Sequence, residues 1–518
     1  MISANKSYRL TNCSKSLSPS SLYCLIFGIV PGYTGFIVTG KNVVKTAPII
    51  AIIGGGFCGT LTLVQLLRQA KNPLHIILVN KNYPVAKGTA YSTEDENHLL
   101  NVAAGKMSAF PEDPEHFVSW IRNQKSLKHF VNDELNLAYV PRYVYGNYLQ
   151  DIFEEALKKK PAFVEYTVLN DEAKDIIRTV NKYKLVLRGN KSVSVDKVVL
   201  ATGNSLPSQP LIKDERFYTS RNYFGNPWDR TATENIRPDE TVLIIGTGLT
   251  MLDTALSVAR NGFRGKIIAL SRNGLVPLYH KRRKPYLQLL DDLKSPFRLQ
   301  QLYEVYFKHI IQAAAQGNPT EALVDAIRPK TQEIWMGLSL PEKIQFMTHI
   351  KHFWNVTRHR AAKEVFDTIS KLREKNILEV MAGRLISMTE TGNDIEVIFR
   401  EKKTLKNRII KVNRVINCTG PETDITKIND EFIKNLLKRG YIVPDELKLG
   451  MNALPDGTII HKDNSLSSFL FTLGTHLKGI LWESTAVPEL RMQAQQLASE
   501  ILRQLFAVKS SGKKKIKI

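Results

Sequence analysis

Cysteine is scarce in this chain: four in 518 residues, Cys13, Cys24, Cys58 and Cys418. No two form a CxxC pair and no His/Cys spacing suits a metal, which argues against dithiol reductase chemistry and against a metal site, and fits a reducing compartment. A Ser/His/Asp set and a paired-carboxylate motif are also missing, so nothing asks for hydrolytic chemistry. Zinc-finger and RNA-binding motifs are absent too. The excess of 72 Lys+Arg over 49 Asp+Glu, a net charge of +23, is therefore read as a Lys-rich surface that attracts anionic cofactors and substrates, and nucleic-acid binding is not expected.

Long apolar runs are rare as well. The exception is LYCLIFGIVPGYTGFIVTG at 22–40, about membrane-spanning in length but broken by Gly28, Pro31, Gly32 and Gly35. Three readings stand: a membrane anchor with Lys6, Arg9 and Lys15 on the cytoplasmic side, an export signal, or a dispensable extension with translation starting near 38–44. A cytoplasmic protein is expected, with membrane association through this segment as the alternative. The lysines of the SSGKKKIKI tail read as solvent-facing charge or, less favoured, as a peripheral membrane contact.

What is present is a pair of glycine turns. Ile49 to Ile53 reads as a buried parallel strand running into Gly54-Gly55-Gly56-Phe57-Cys58-Gly59, then a helical run from Thr60 to Ala70 and a second strand, Leu74 to Asn80. Strand, GxGxxG, helix, strand is a dinucleotide cradle. Gly54 permits the turn, Gly56 lets backbone approach a pyrophosphate, and Gly59 lets the helix lie close to the strand. The second strand ends in Asn80 where an acidic residue would take the ribose hydroxyls; an amide can still accept one hydrogen bond and donate another. A separate export route would part such a cradle from its cofactors.

The second turn is VLIIGTGLTMLDTALS, with strand Val242 to Ile245, the turn residues Gly246, Gly248 and Thr250, and a following strand Lys266 to Leu270. Met251 replaces the third glycine, which loosens the helix packing there. Arg272 stands at the tip of the following strand and suits a 2′-phosphate, which favours NADPH over NADH.

Between the cradles, 87–121 has little period, a composition suited to a loop wrapping a flat ring, and PRYVYGNYLQDIFEEALKK reads as a helix with Arg142 near its start, a surface or pyrophosphate-side charge. Short strands over 162–200 end in Ala201-Thr202-Gly203; Thr202 and Gly203 stand where the chain would leave the first cradle. Strands over 376–421 repeat that logic: VNRVINCTG parallels VDKVVLATG, an internal duplication. From 276 to 372 helical patterns and basic clusters dominate. Trp354, Arg358, His359 and Arg360 read either as a solvated helix face or as recognition of an anionic substrate or cofactor phosphates. Gly474 follows a late strand and precedes a helix beginning near Pro488, whose N-terminus would face the pyrimidine edge of a flavin.

Seven blocks in order, GGGFCG, KGTAYSTEDENHLLNVAAGKMSAFPEDPEHFVSW, PRYVYGNYL, NPWD, VLIIGTGLTMLDTALS, WNVTRHR and LWESTAVPELRMQA, resemble the bacterial FAD/NAD(P)-binding proteins that include flavin-dependent urate hydroxylase and N-hydroxylating asparagine or aspartate monooxygenases. The resemblance covers about 48–505. It implies FAD at Gly54, Gly56 and Gly59, the loop with Asn101 and Met107 near the ring, and NAD(P)H at Gly246, Gly248 and Thr250. It assigns no general base.

The expected fold is α/β: two Rossmann-like dinucleotide-binding domains of the three-layer ββα type with a helical insertion. The expected division is an extension (1–47), the first part of an FAD domain (48–205), an NAD(P) domain (206–421) with the insertion at about 276–372, the second part of the FAD domain (422–508) and a basic tail (509–518). The expected activity is an FAD-dependent NAD(P)H monooxygenase using molecular oxygen on a small, anionic, nitrogen-containing substrate. A membrane-associated NAD(P)H:quinone dehydrogenase and a non-catalytic flavin or nucleotide sensor are the alternatives.

Overall fold

The computed structural model describes residues 47–507 except 82, 261 and 282–285; the apolar stretch at 22–40 and the tail at 509–518 lie outside the described residues. Among the described residues no helix is long and apolar enough to cross a membrane.

Strands β1 (Ile49–Ile53), β2 (Leu74–Asn80) and β3 (Val164–Asn170) lead into β4 (Ala173–Arg178), β5 (Tyr183–Leu187) and β6 (Ser192–Val195), and then β7 (Lys197–Leu200). Next come β8 (Tyr223–Phe224), β9 (Thr241–Ile245), β10 (Lys266–Ser271), β11 (Leu378–Thr391), β12 (Asp394–Glu401), β13 (Asn407–Val412) and β14 (Arg414–Asn417), and finally β15 (Thr458–Ile460) and β16 (Leu466–Thr472). The first sheet runs β15-β16-β7-β1-β2-β3, the second β13-β12-β11-β10-β9-β14-β8, and β4-β5-β6 form a small antiparallel sheet.

The central strands are buried on both faces, and their period of two divides the core. Ile50 and Ile52 point to a cluster built with the helices Phe57–Gln69, Arg142–Lys158 and Val487–Phe506. Ala51 and Ile53 point to the opposite cluster, formed with β4, β5 and the helix Glu431–Lys438. That is a ββα layering. β9 repeats the division: Val242 and Ile244 face one cluster, Leu243 and Ile245 the other.

The second sheet differs from the first in one respect. Instead of a separate meander, β11 pairs parallel with β10 over Leu378 to Ala382 and then antiparallel with β12 from Gly383 onward, with a bulge between Leu385 and Ser387. Leu378–Thr391 is thus one bent strand, because a bulge turns a strand without ending its ladder. The stretch 87–121, expected to be mostly loop, carries the helices Gly88–Tyr91 and His116–Asn123. From Leu289 onward the described elements of the insertion are helices, with Phe346–Ile350 as a π-type turn leading into the helix Lys351–Arg358.

Candidate functional site

The two glycine turns are conformational copies. Gly54 has φ +110° and Gly246 φ +109°, a region closed to other residues without strain. Gly54 donates to the Val79 carbonyl and Gly246 to the Leu270 carbonyl, each at 2.8 Å. A side chain at Gly54 would lie 2.2 Å from the Ala201 carbonyl oxygen, and one at Gly246 would lie 2.3 Å from that of Cys418. The ATG and CTG exit strands therefore close on the first glycine of their own turns.

Each helix then starts uncapped. Gly56 (φ −78°, ψ −165°) and Gly248 (φ −81°, ψ −167°) are the N-caps, no side chain caps either, and neither first turn holds an acidic residue. Uncapped N–H groups with the helix dipole behind them suit an anion. A Cβ at Gly248 would meet nothing within 4 Å, and one at Gly56 only the Gly88 Cα at 3.7 Å. Both turns thus fit a pyrophosphate. They differ at the third glycine: a Cβ at Gly59 would sit 1.8 Å from the Gly54 carbonyl oxygen, whereas Met251 carries one. The first-turn bond stretches accordingly, from 2.9 Å for Thr60 N–H to Gly56 O to 3.4 Å for Leu252 N–H to Gly248 O.

Asn80 is buried, and its Nδ2 donates to the Tyr83 carbonyl at 2.8 Å while Oδ1 lies beside Gly55. A carboxylate could not make that donation. The amide thus stitches the strand-end turn and retains one N–H. Gly474 returns to the same turn from the far end of the chain, so close that a Cβ there would lie 2.9 Å from Cys58 Sγ; its N–H donates to Gln493 at 2.9 Å. Burial pushes the Cys58 thiol up to about 12, which keeps it neutral. Thr202 Oγ1 shares a 2.7 Å hydrogen bond with Nε2 of His476, whose pKa burial lowers to about 4. Gly203 is exposed with φ +72°.

Asn101 presents its carbonyl to His280 Nε2 at 3.0 Å, and Met107 is packed in the first core. At the second cradle Thr250 is half-buried in the first helical turn, and Arg272 is exposed at the end of β10. Lys351 lies near enough to feel it: burial first, then the charges of Lys478 and Arg272, bring that ammonium down to about 8.

Two sequence readings change. Arg142 is not a free surface charge: it pairs with Asp253 of the helix Leu249–Val258 at 2.8 Å, with both side chains largely buried. Of the Trp354–Arg360 knot, Arg358 and Arg360 are 8% and 4% exposed, so the knot is no solvated helix face. Trp354 Nε1 donates to Glu483 Oε1 at 2.9 Å, His359 stands 3.3 Å from Glu483, and Arg360 pairs with Asp325. Trp335 stacks on Trp482 at 4.9 Å and donates to the Gly479 carbonyl at 2.8 Å, joining the insertion to the segment before the last helix. Glu483, Asp253 and Arg328 were not singled out from sequence; the only sign of Glu483 was its place in the LWESTAVPEL block.

Residues 51–205 match the family model described as FAD-NAD(P)-binding. A nitrosuccinic acid synthase of Aspergillus oryzae is 26% identical over 242 residues, 41% of this chain; the match spans only 36% of that protein's length. Among solved structures, an ornithine N-hydroxylase of Kutzneria sp. 744, described with reduced FAD, NADP+ and L-ornithine, superposes with TM-score 0.60 at 14% identity, covering 89% of this chain and 100% of that one. The fold is the one such hydroxylases share. An ornithine hydroxylase of Pseudomonas aeruginosa (TM-score 0.61, 12% identity) and an L-lysine 6-monooxygenase of Pseudomonas syringae (0.59, 13%) show it too, each covering 89% of this chain and 100% of its own.

Proposed function

We propose that this protein is a cytoplasmic FAD-dependent, NADPH-using monooxygenase acting with molecular oxygen on a small nitrogen-containing substrate. One observation carries the reading: two glycine turns of the same backbone conformation, each with an uncapped helix behind it, in a chain that returns to the first turn through Gly474. Two such turns serve two dinucleotides, the pairing needed to pass a hydride from one to the other.

In this reading FAD is held by Gly54, Gly56 and Gly59 at the pyrophosphate and by Asn80 at the ribose, with Thr202, Gly203 and Gly474 approaching it through backbone and Asn101 and Met107 in the segment over the ring. NADPH is held by Gly246, Gly248 and Thr250, with Arg272 on its 2′-phosphate. Bound FAD supplies hydride acceptance and reaction with oxygen. The chain's own groups do the rest. Neutral His476 orients the Thr202 hydroxyl without adding positive charge beside the first turn. The Arg142–Asp253 pair ties the first cradle's helix Arg142–Lys158 to the second cradle's helix. Trp335 and Trp482, 2% exposed each, shut water out of the insertion's inner face.

The test is NADPH consumption by FAD-loaded protein in a panel of amines, amino acids and purines, with product identified by mass. One panel member that accelerates consumption and gains one oxygen atom is expected; consumption that no panel member alters, with all oxygen recovered as peroxide, overturns the monooxygenase reading.

A further inference from the structure

The helices His116–Asn123 and Arg142–Lys158 meet through two interlocking pairs of side chains. His116 and Trp120 stand one turn apart on the first, Tyr148 and Asp151 one turn apart on the second, spacings that put both members of a pair on one helix face. His116 Nδ1 and the Tyr148 hydroxyl share a 2.8 Å hydrogen bond, and Trp120 Nε1 donates to Asp151 Oδ2 at 2.8 Å. The Tyr148 and Trp120 rings lie 5.5 Å apart between centres. The proposed function uses none of the four.

Tyr148 is buried, Trp120 half-buried and Asp151 exposed, so the cluster runs from the core to the surface. Inward, Tyr148 approaches the first cradle along two lines. Its hydroxyl accepts the Ala109 N–H at 3.1 Å, two residues past Met107. Its ring lies 5.5 Å from that of Tyr145, which in turn is 4.8 Å from Tyr91 and 6.3 Å from Phe57, the first residue of the cradle's helix. Rings in such contact pass single electrons, and tyrosine and tryptophan are the aromatic side chains most readily oxidised.

Loss of an electron turns a phenol or an indole into a strong acid, so each site also needs a proton acceptor. Tyr148 accepts from Ala109 and has its own hydrogen to give, while burial lowers the pKa of His116 and leaves a ring nitrogen able to take it. The Trp120 N–H already points at a carboxylate. Tyr145 differs: its hydroxyl is buried without a partner, so that ring can relay an electron but cannot shed a proton.

We propose that Tyr148 and Trp120 form a one-electron exit that carries oxidising equivalents from the first cradle to the surface, with His116 and Asp151 as the proton acceptors. The oxidant is of the radical class that peroxide gives when a reduced flavin meets oxygen without substrate, and it gains one electron. Tyr148 loses that electron and passes its phenolic proton to His116. Trp120 then returns an electron to Tyr148, whose proton comes back from His116, and the indole proton goes to Asp151. A soluble thiolate restores Trp120, with the proton from Asp151, and becomes a thiyl radical; two of these join as a disulfide. Met107 and Cys58, oxidisable sulfurs of that cradle and its loop, are what the exit spares. The exit rests on the reading that FAD occupies the first cradle.

A blue-light pulse on the anaerobic, FAD-loaded full chain tests it, because photoexcited oxidised flavin is a one-electron oxidant that needs neither NADPH nor substrate. Transient absorption and freeze-trapped electron paramagnetic resonance should show a tyrosyl radical giving way to a tryptophanyl radical. Trp120→Phe should abolish the tryptophanyl signal and keep the tyrosyl one, and Tyr148→Phe should abolish the tryptophanyl signal as well. Should Tyr148→Phe fail to fold, Trp120→Phe, at the half-buried end, carries the test. During NADPH turnover without substrate, mass spectrometry should find oxidation at Trp120 in the native chain and at Met107 and Cys58 in Trp120→Phe. Bound flavin with no protein radical, or a tryptophanyl signal unchanged in Trp120→Phe, would overturn the exit and leave the flavin reading intact. A chain that binds no FAD would sink that reading and the exit with it.

Discussion

Arg142 and Asp253 meet at 2.8 Å across the join between the two cradles, their side chains 14% and 8% exposed. Arg142 Nε also donates to the Leu99 carbonyl at 3.1 Å, and its guanidinium lies 5.6 Å from the centre of the Trp228 ring. The pair therefore fixes three segments at once: the helix Arg142–Lys158, the loop before it and the helix that opens the second cradle.

Removing one partner of such a pair strands the other charge out of water, so Asp253→Leu should destabilise the protein by about 3–5 kcal/mol. Replacing both, Arg142→Met with Asp253→Leu, should recover much of that loss. Denaturant unfolding of the two variants measures it; equal stability of single and double variants would show the pair is not coupled.

Gly54→Ala and Gly246→Ala should separate the two cofactors. Each puts a Cβ about 2.2–2.3 Å from a backbone carbonyl oxygen at a φ near +110°, so the turn cannot persist as it is. Gly54→Ala is expected to purify without FAD. Gly246→Ala is expected to keep FAD and lose reduction by NADPH, which absorbance and rapid-mixing kinetics distinguish.

Arg272→Ala should raise the KM for NADPH by about tenfold, some 1.4 kcal/mol, and leave that for NADH within about twofold, since the guanidinium is proposed to contact only the 2′-phosphate. Equal changes for both nucleotides would remove Arg272 from that role.

The duplication was legible in the sequence because each turn is local: strand, glycines and helix lie within about twenty residues, and the physics of φ > 0 and close approach leaves few residue choices. The bend of β11 was hidden, since a bulge at Leu385 to Ser387 leaves the same signature as a break between strands. The contacts of Glu483 were hidden for a different reason. Trp354, Arg358 and His359 stand far before it in the chain, and no periodicity links the two stretches. Arg358 stood out by composition, but a basic residue in a helical pattern reads as solvated until Glu483 is brought beside it. Arg142 showed the same ambiguity until Asp253 supplied its partner.

Acid should destabilise the fold through its buried histidines. His280 and His476 are held near pKa 4 by burial, with Arg360 adding to the effect at His280, against 6.5 in an unfolded chain. Between those pH values the unfolded chain binds protons that the folded one refuses. Stability is full above about pH 6.5 and falls toward pH 4 by about 1.4 kcal/mol per pH unit for each histidine. His476→Gln should remove about one proton from that slope in unfolding titrations from pH 4 to 7; an unchanged slope would show that His476 is protonated in the folded protein.

The most direct test of a flavin in the first cradle and a nicotinamide in the second is the visible spectrum of the purified protein, recorded without oxygen before and after NADPH and again after air. Flavin bands that bleach with NADPH and return with oxygen are expected. A colourless protein that cannot be loaded with FAD, or a bound flavin that neither NADPH nor NADH reduces, would contradict it.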